Sequence, residues 1–300
     1  MFPSDAIILS VLTGISFGFQ VVLIKILSRK LHQFGILQFL FLCTGVFILI
    51  LSITSPWHEI DIQRFLPSLL ISFIINLVAF SLLTKAIIIS PVSLVMPFVG
   101  LTPLFLVFTA YLILGESVTI TKFLGVFGIV IGSFILQLPR EWKTKNKSLR
   151  FRFFTGEKGI VYVIIVAFLW SISASIEKIA VIASTPEIYA TTIHLMLGIA
   201  FLFSYRHMRK KEREGDRREI KYDWSLAFSI ALLVLVSTVL ALSQLTAIKY
   251  TLVTYVISFK RAGILISSVI GFMFFHEKNY TKTITGTIII LIGAFIITSA

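Results

Sequence analysis

The sequence predicts an all-α integral membrane protein with ten transmembrane helices, arranged as two inverted repeats of five. Three observations carry that expectation. The 300-residue chain is 57% apolar, with a mean hydropathy of +0.98, against an apolar share of about 45–50% in soluble domains. Its apolar residues gather into long runs without strict alternation, and in lipid only helices or closed barrels satisfy their own backbone. Finally, residues in the first half recur in the second at nearly constant spacing.

The runs can be taken in chain order. The first lies near Ala6–Leu27. At about 1.5 Å per residue it matches a hydrocarbon layer of about 30 Å. The preceding Met1-Phe2-Pro3-Ser4-Asp5 lacks the basic stretch of a signal peptide, so this run is expected to stay in the mature protein. Phe34–Thr54 follows, carrying the single cysteine, Cys43, which excludes an intrachain disulfide. Phe65–Ile88 and Val92–Leu114 are separated only by Ile89-Ser90-Pro91, so these two helices must run antiparallel. Pro97 and Pro103 fall in the fourth run and remove backbone donors there, which predicts a kink. Thr121–Leu138 completes the first half. The second half comprises Gly159–Ala180, Glu187–Tyr205, Trp224–Ala247, Leu252–Phe275 and Thr283–Ser299. The domain reading is a first repeat at 1–138, a basic linker at 139–158 and a second repeat at 159–300.

Charge orients the helices. The chain carries 27 Lys and Arg against 14 Asp and Glu, a net +13. Most of the excess lies in the loops from Arg140 to Lys158 and from Arg206 to Asp223, so nucleic-acid binding is a poor explanation and positive-inside topology a good one. With ten spans both loops fall on one face with Arg29-Lys30 and Lys282, whereas the other face offers Arg64, Lys122 and Lys249. The basic face is expected to be cytoplasmic and both termini outside. Contact of these loops with acidic lipid headgroups is compatible with the same arrangement.

The internal repeat follows from spacing. Glu116 and Glu277, Gly125 and Gly286, Gly132 and Gly293, and Ala86 and Ala247 are each 161 residues apart. Earlier in each half, Phe17 and Trp170, and Lys25 and Lys178, are 153 apart, so an insertion of eight residues separates the two registers. Five spans per half is an odd number, so the halves insert in opposite directions. Inverted repeats of this kind place a substrate site near the midplane, between the halves.

With these residues the chain resembles the EamA-type transporters of the drug/metabolite transporter superfamily. The likeness rests on the segments from Phe17 to Lys25 and from Trp170 to Lys178, on the Gly115-Glu116 and His276-Glu277 endings of runs four and nine, and on the glycine-spaced runs five and ten. It covers nearly the whole chain. The resemblance implies a ten-helix bundle around a central cavity, alternating access to a small-molecule substrate, and a bacterial or archaeal cell membrane. Relatives carry amino acids, drugs, nucleotide sugars and sugar phosphates. Triose-phosphate translocators hold phosphate with a Lys-Arg pair in the ninth helix, and Lys260-Arg261 matches that pair in kind and place. A carrier of an anionic or zwitterionic metabolite is therefore expected, acting as monomer or homodimer in the lipid bilayer, with no cofactor and no metal.

Charge deep in an apolar run is costly and faces a cavity or a partner. Lys260 and Arg261 lie well inside the ninth run and point about 100° apart on a helix. They are read as substrate contacts, or as a structural ion pair with Glu177. Gln20, Asn76, Ser173, Gln244 and Tyr255 are candidates for lining the same cavity, with interhelical hydrogen bonding as the plain alternative for each. Glu177 and His194 are candidates for proton coupling, and a neutral packing histidine is the ordinary alternative. Lys25 and Lys178 are expected to snorkel to the interface, and Glu116 to cap its helix or pair with nearby Lys122. Gly14 and Gly18, and Gly128 and Gly132, have the spacing for close helix packing within the chain. No catalytic motif is found: there is no HExxH, GxSxG or phosphate-binding glycine loop. An embedded enzyme or lipid-handling protein is the rival class, and a channel a weaker one.

Overall fold

A computed structural model describes residues 4–55, 57, 60–90, 96–137, 158–211, 223–263, 265, 266, 270 and 280–299. Glu59, Lys145, Arg213, Ile264, His276 and Glu277 lie outside the described residues. Among the described residues the regular structure is all helical. We number the helices α1 (Ser4–Leu27), α2 (Gln33–Leu51), α3 (Ile62–Ile89), α4 (Thr102–Leu114), α5 (Ile120–Gln137), α6 (Lys158–Ile182), α7 (Pro186–Lys211), α8 (Trp224–Tyr250), α9 (Val253–Ala262) and α10 (Tyr280–Ser299). Among the described residues six of these are long and apolar enough to cross a membrane unaided.

Local chemistry fixes the ends. The Asp61 carboxylate accepts from the Arg64 N–H at 3.3 Å and starts α3, and Asp223 accepts from Leu226 at 2.7 Å and starts α8. Each satisfies a backbone donor that has no partner within its helix. Gly115 ends α4 in the left-handed conformation, at φ 68°, which a glycine adopts without steric cost. The fourth run is interrupted as its prolines require. Met96–Leu101 forms a 3₁₀ turn, and α4 begins at Thr102 with Pro103 in its first turn, where a missing N–H costs nothing. In α2, residues Phe39–Cys43 form a π-helical turn. Gly198 of α7 packs against it, and a Cβ there would sit 2.6 Å from the Leu42 Cα.

Helices pair across the repeats more than within them. The most extensive contacts are α5 with α10, α2 with α7, α3 with α6, and α1 with α8, followed by α4 with α6 and α1 with α9. Exchanging the halves turns α3–α6 into α8–α1 and α4–α6 into α9–α1, so the contacts obey the pseudo-two-fold that an inverted repeat implies. Glycines make the axis. Cβ atoms at Gly125 and Gly132 of α5 would each lie 2.7 Å from the carbonyls of Gly293 and Gly286 of α10. Gly14 of α1 likewise admits α9, its Cβ position being 2.5 Å from the Phe259 carbonyl. The small-residue spacing read from the sequence therefore serves packing inside the chain. Outward positions such as Ile53, Phe108, Phe228 and Phe295 are large, apolar and exposed. A polytopic membrane protein turns such a surface to the acyl chains.

Candidate functional site

Five of the polar side chains buried among these helices form a connected string. Lys260 of α9 donates from Nζ to Gln244 Oε1 of α8 at 2.8 Å, and Gln244 Nε2 donates to Glu177 Oε2 of α6 at 3.3 Å. Ser173, one turn earlier on α6, donates to Glu177 Oε1 at 3.2 Å and accepts from Asn76 Nδ2 of α3 at 2.7 Å. Asn76 also donates to the Ser72 carbonyl at 2.9 Å. The structure thus brings together Lys260, Gln244, Glu177, Ser173 and Asn76, from four helices and both repeats. Lys260 and Glu177 communicate through the Gln244 amide, which meets each charge with the matching end.

Arg261 leaves the helix on a different bearing, as consecutive residues must. Its Nη2 donates to Thr102 Oγ1 at the start of α4, at 3.3 Å. The guanidinium lies 5.5 Å from the Phe17 ring of α1 and 5.6 Å from the Trp170 ring of α6, and Lys260 Nζ lies 5.6 Å from the same Phe17. Arg261 is 5% exposed, its Nε has no hydrogen-bond partner, and it forms no ion pair with a described carboxylate. Ring faces attract cations, but they do not satisfy N–H donors. The site therefore holds a buried, half-satisfied positive charge.

The symmetry of the scaffold and the asymmetry of its charges are both legible here. Phe17 and Trp170 occupy equivalent places in the two repeats, so Arg261 sits between a residue and its symmetry mate. Gln20 donates to Ser237 at 2.9 Å, and the same register shifts carry that pair onto Ser173 and Asn76. The two halves thus hold the same amide–hydroxyl link with its partners exchanged. The charged positions break the symmetry. The counterparts of Glu177, Gln244, Lys260 and Arg261 are Ile24, Leu83, Val99 and Gly100, and Leu83 and Val99 pack in an apolar cluster with Ala86, Ile160, Val163 and Trp170.

Other sequence candidates lie elsewhere. Tyr255 is buried with Val126, Ile129 and Ile297 against α5 and α10, under the Lys122 ammonium. The His194 Nδ1 lies 2.8 Å from the Ala190 carbonyl of its own helix, and the ring packs 5.5 Å from Phe41 in an aromatic cluster with Phe80, Phe201 and Trp170. Glu116 does not take Lys122 as its partner, and Lys178 is held by a carboxylate rather than left unpaired. They form an ion pair with each other, with side chains 14% and 8% exposed. Lys122 is close to Glu116 only in sequence, whereas α6 and the end of α4 are packed together. Thr102 was not a candidate, since a threonine at a helix start reads as a local cap. Phe17 and Trp170 were marked by the repeat, and their equivalence was the available signal that they face a shared axis.

The arrangement suits an anion. Arg261 and Lys260 offer unsatisfied donors and a point charge, and Glu177 keeps lone pairs for a proton or an ammonium group. Among the described residues no group of His, Cys, Asp or Glu could hold a metal ion.

Comparison with known proteins agrees with the symmetry. The family model for EamA-like transporters matches twice, over residues 5–138 and 157–299. No curated protein matches the chain. A protein crystal structure superposes with a TM-score of 0.75 over 99% of this chain and 97% of the other, at 14% sequence identity, which establishes a shared fold. Matched over both halves by the one family model, the chain belongs to the EamA-like transporter family.

Proposed function

We propose that the chain is a secondary carrier that moves a small anionic or zwitterionic metabolite by alternating access, binding its carboxylate or phosphate at Lys260 and Arg261. One observation supports this above the rest: a guanidinium buried between two rings, with no described carboxylate beside it and one nitrogen unbonded. A buried charge left without a counterion is costly. A carrier that receives its counterion with the substrate gives that charge a reason to be there. Among the described residues two cations against one nearby carboxylate make the site net positive, which concentrates anions and repels cations. Glu177, in the same string, is the acceptor for a substrate ammonium in the zwitterionic case or for a coupling proton. The inverted repeats support alternation between two faces, and we place the basic loops in the cytoplasm.

The test is uptake into proteoliposomes after a thermal-shift screen of carboxylates, phosphate esters and zwitterions, since a ligand of the folded state raises its stability by mass action. Saturable uptake with counterflow is expected. Chemical turnover of a lipid or metabolite without flux would replace the carrier reading with an enzymatic one.

A further inference from the structure

The Glu116–Lys178 pair is not part of the binding string, yet it joins two of the helices that carry it, α6 and α9. Glu116 closes α4 and belongs to the first repeat. One carboxylate oxygen receives Lys178 Nζ, and the other accepts the Val253 backbone N–H at 3.0 Å. Lys178 also donates to the Thr251 carbonyl at 2.7 Å. Two side chains thus tie the ends of α4 and α6 to the start of α9, all on the face opposite the basic loops.

Three features mark this as a closure. The N-cap position of α9 is Leu252, which offers no side-chain acceptor, so a carboxylate from the other repeat supplies what a local cap would. It satisfies an end donor and meets the positive end of the helix dipole. The contact is also linked to the site through rigid segments. Val253 begins the short helix that carries Lys260 about 10 Å further along, and Lys178 directly follows Glu177. Lastly, the groups so paired are buried but strongly hydrated when free, so separating them requires water to enter at this face.

We propose that Glu116 and Lys178 form the gate of the face opposite the basic loops, closed here across the start of α9 and broken when the site opens to that side. The assignment rests on the alternating-access reading and goes beyond it, naming the contact that must part. In the sequence repeat Lys25 and Glu277 correspond to Lys178 and Glu116. Glu277 lies outside the described residues, and we confine the gate to the described pair.

The experiment reads conformation without substrate, so its failure is distinct from a failure of uptake. In a Cys43→Ser background, Thr254→Cys reports on a fully buried side chain next in sequence to Val253, whose N–H the pair holds. Leu233→Cys, fully buried in α8, reports on the bundle as a whole. Two variants are compared, Lys178→Met and Glu116→Gln/Lys178→Met; the second removes both charges and leaves none orphaned. We expect an impermeant thiol reagent to label Thr254→Cys at least about tenfold faster in both variants, a shift of the kind a lost closing contact produces, while Leu233→Cys stays protected. Unchanged labelling of Thr254→Cys in both variants overturns the gate. So does equal labelling of Leu233→Cys, which would make the pair a brace of the whole bundle.

Discussion

Arg261→Gln separates the cost of this site from its use. In the unliganded protein the guanidinium is buried, donates to Thr102 at 3.3 Å and lies between two rings at 5.5 and 5.6 Å. Each ring contact contributes about 0.5–2 kcal/mol, toward the upper end when desolvated. Against this stands an effective burial penalty of several kcal/mol for an unpaired ion. The two nearly cancel, and glutamine retains a donor for Thr102, so the unliganded melting temperature should be unchanged or higher. Binding moves the other way. Loss of a charge-assisted bond of about 1.5–3 kcal/mol predicts affinity weaker by about tenfold to more than a hundredfold. Arg261→Lys should recover only part of it if the contact is bidentate. The assay is thermal unfolding with and without the tightest-binding anion of the screen, together with transport by protein matched for membrane abundance. A lower unliganded melting temperature with unchanged affinity and rate, in both Arg261→Gln and Lys260→Gln, would refute the reasoning and leave the pair structural.

Other outcomes follow from single contacts. Gln244→Leu removes the amide between Lys260 and Glu177, so the two should pair directly and anion affinity should fall by about tenfold or more; unchanged affinity would show that the spacer is idle. Gly132→Ala places a Cβ 2.7 Å from the Gly286 carbonyl and should destabilise the α5–α10 crossing by about 1–3 kcal/mol, seen as earlier thermal unfolding. A cysteine at Lys145 should resist impermeant thiol reagents in intact cells and one at Glu59 should react; the reverse pattern would invert the topology. Hydrogen bonds from Lys30, chiefly, and from the Leu226 N–H hold the exposed Asp223 carboxyl below its ordinary range. Its contribution is therefore present above the unfolded carboxylate pKa of about 4 and lost as pH falls through the depressed folded value. A stability difference between wild type and Asp223→Asn should shrink on acidification through that window.

The sequence alone determined the solvent, the segments and the symmetry. Apolar runs such as Ala6–Leu27 are local facts, and so are the proline break before α4, the basic loops and the two register shifts linking Glu116 to Glu277 and Phe17 to Trp170. The buried cations were equally visible, because a charge inside a span is conspicuous whatever surrounds it. Partner choice was not. Lys178 takes Glu116, 62 residues away; Gln244 stands between Lys260 and Glu177; Arg261 fits between equivalent rings; and Tyr255 turns toward α5 and α10. Each depends on how far one helix is rotated and slid against another. Glycine contacts at Gly14, Gly125 and Gly132 set those positions by permitting backbone approach. Hydropathy has no direction around a helix that is apolar on every side, so only the packed bundle could decide which polar groups meet.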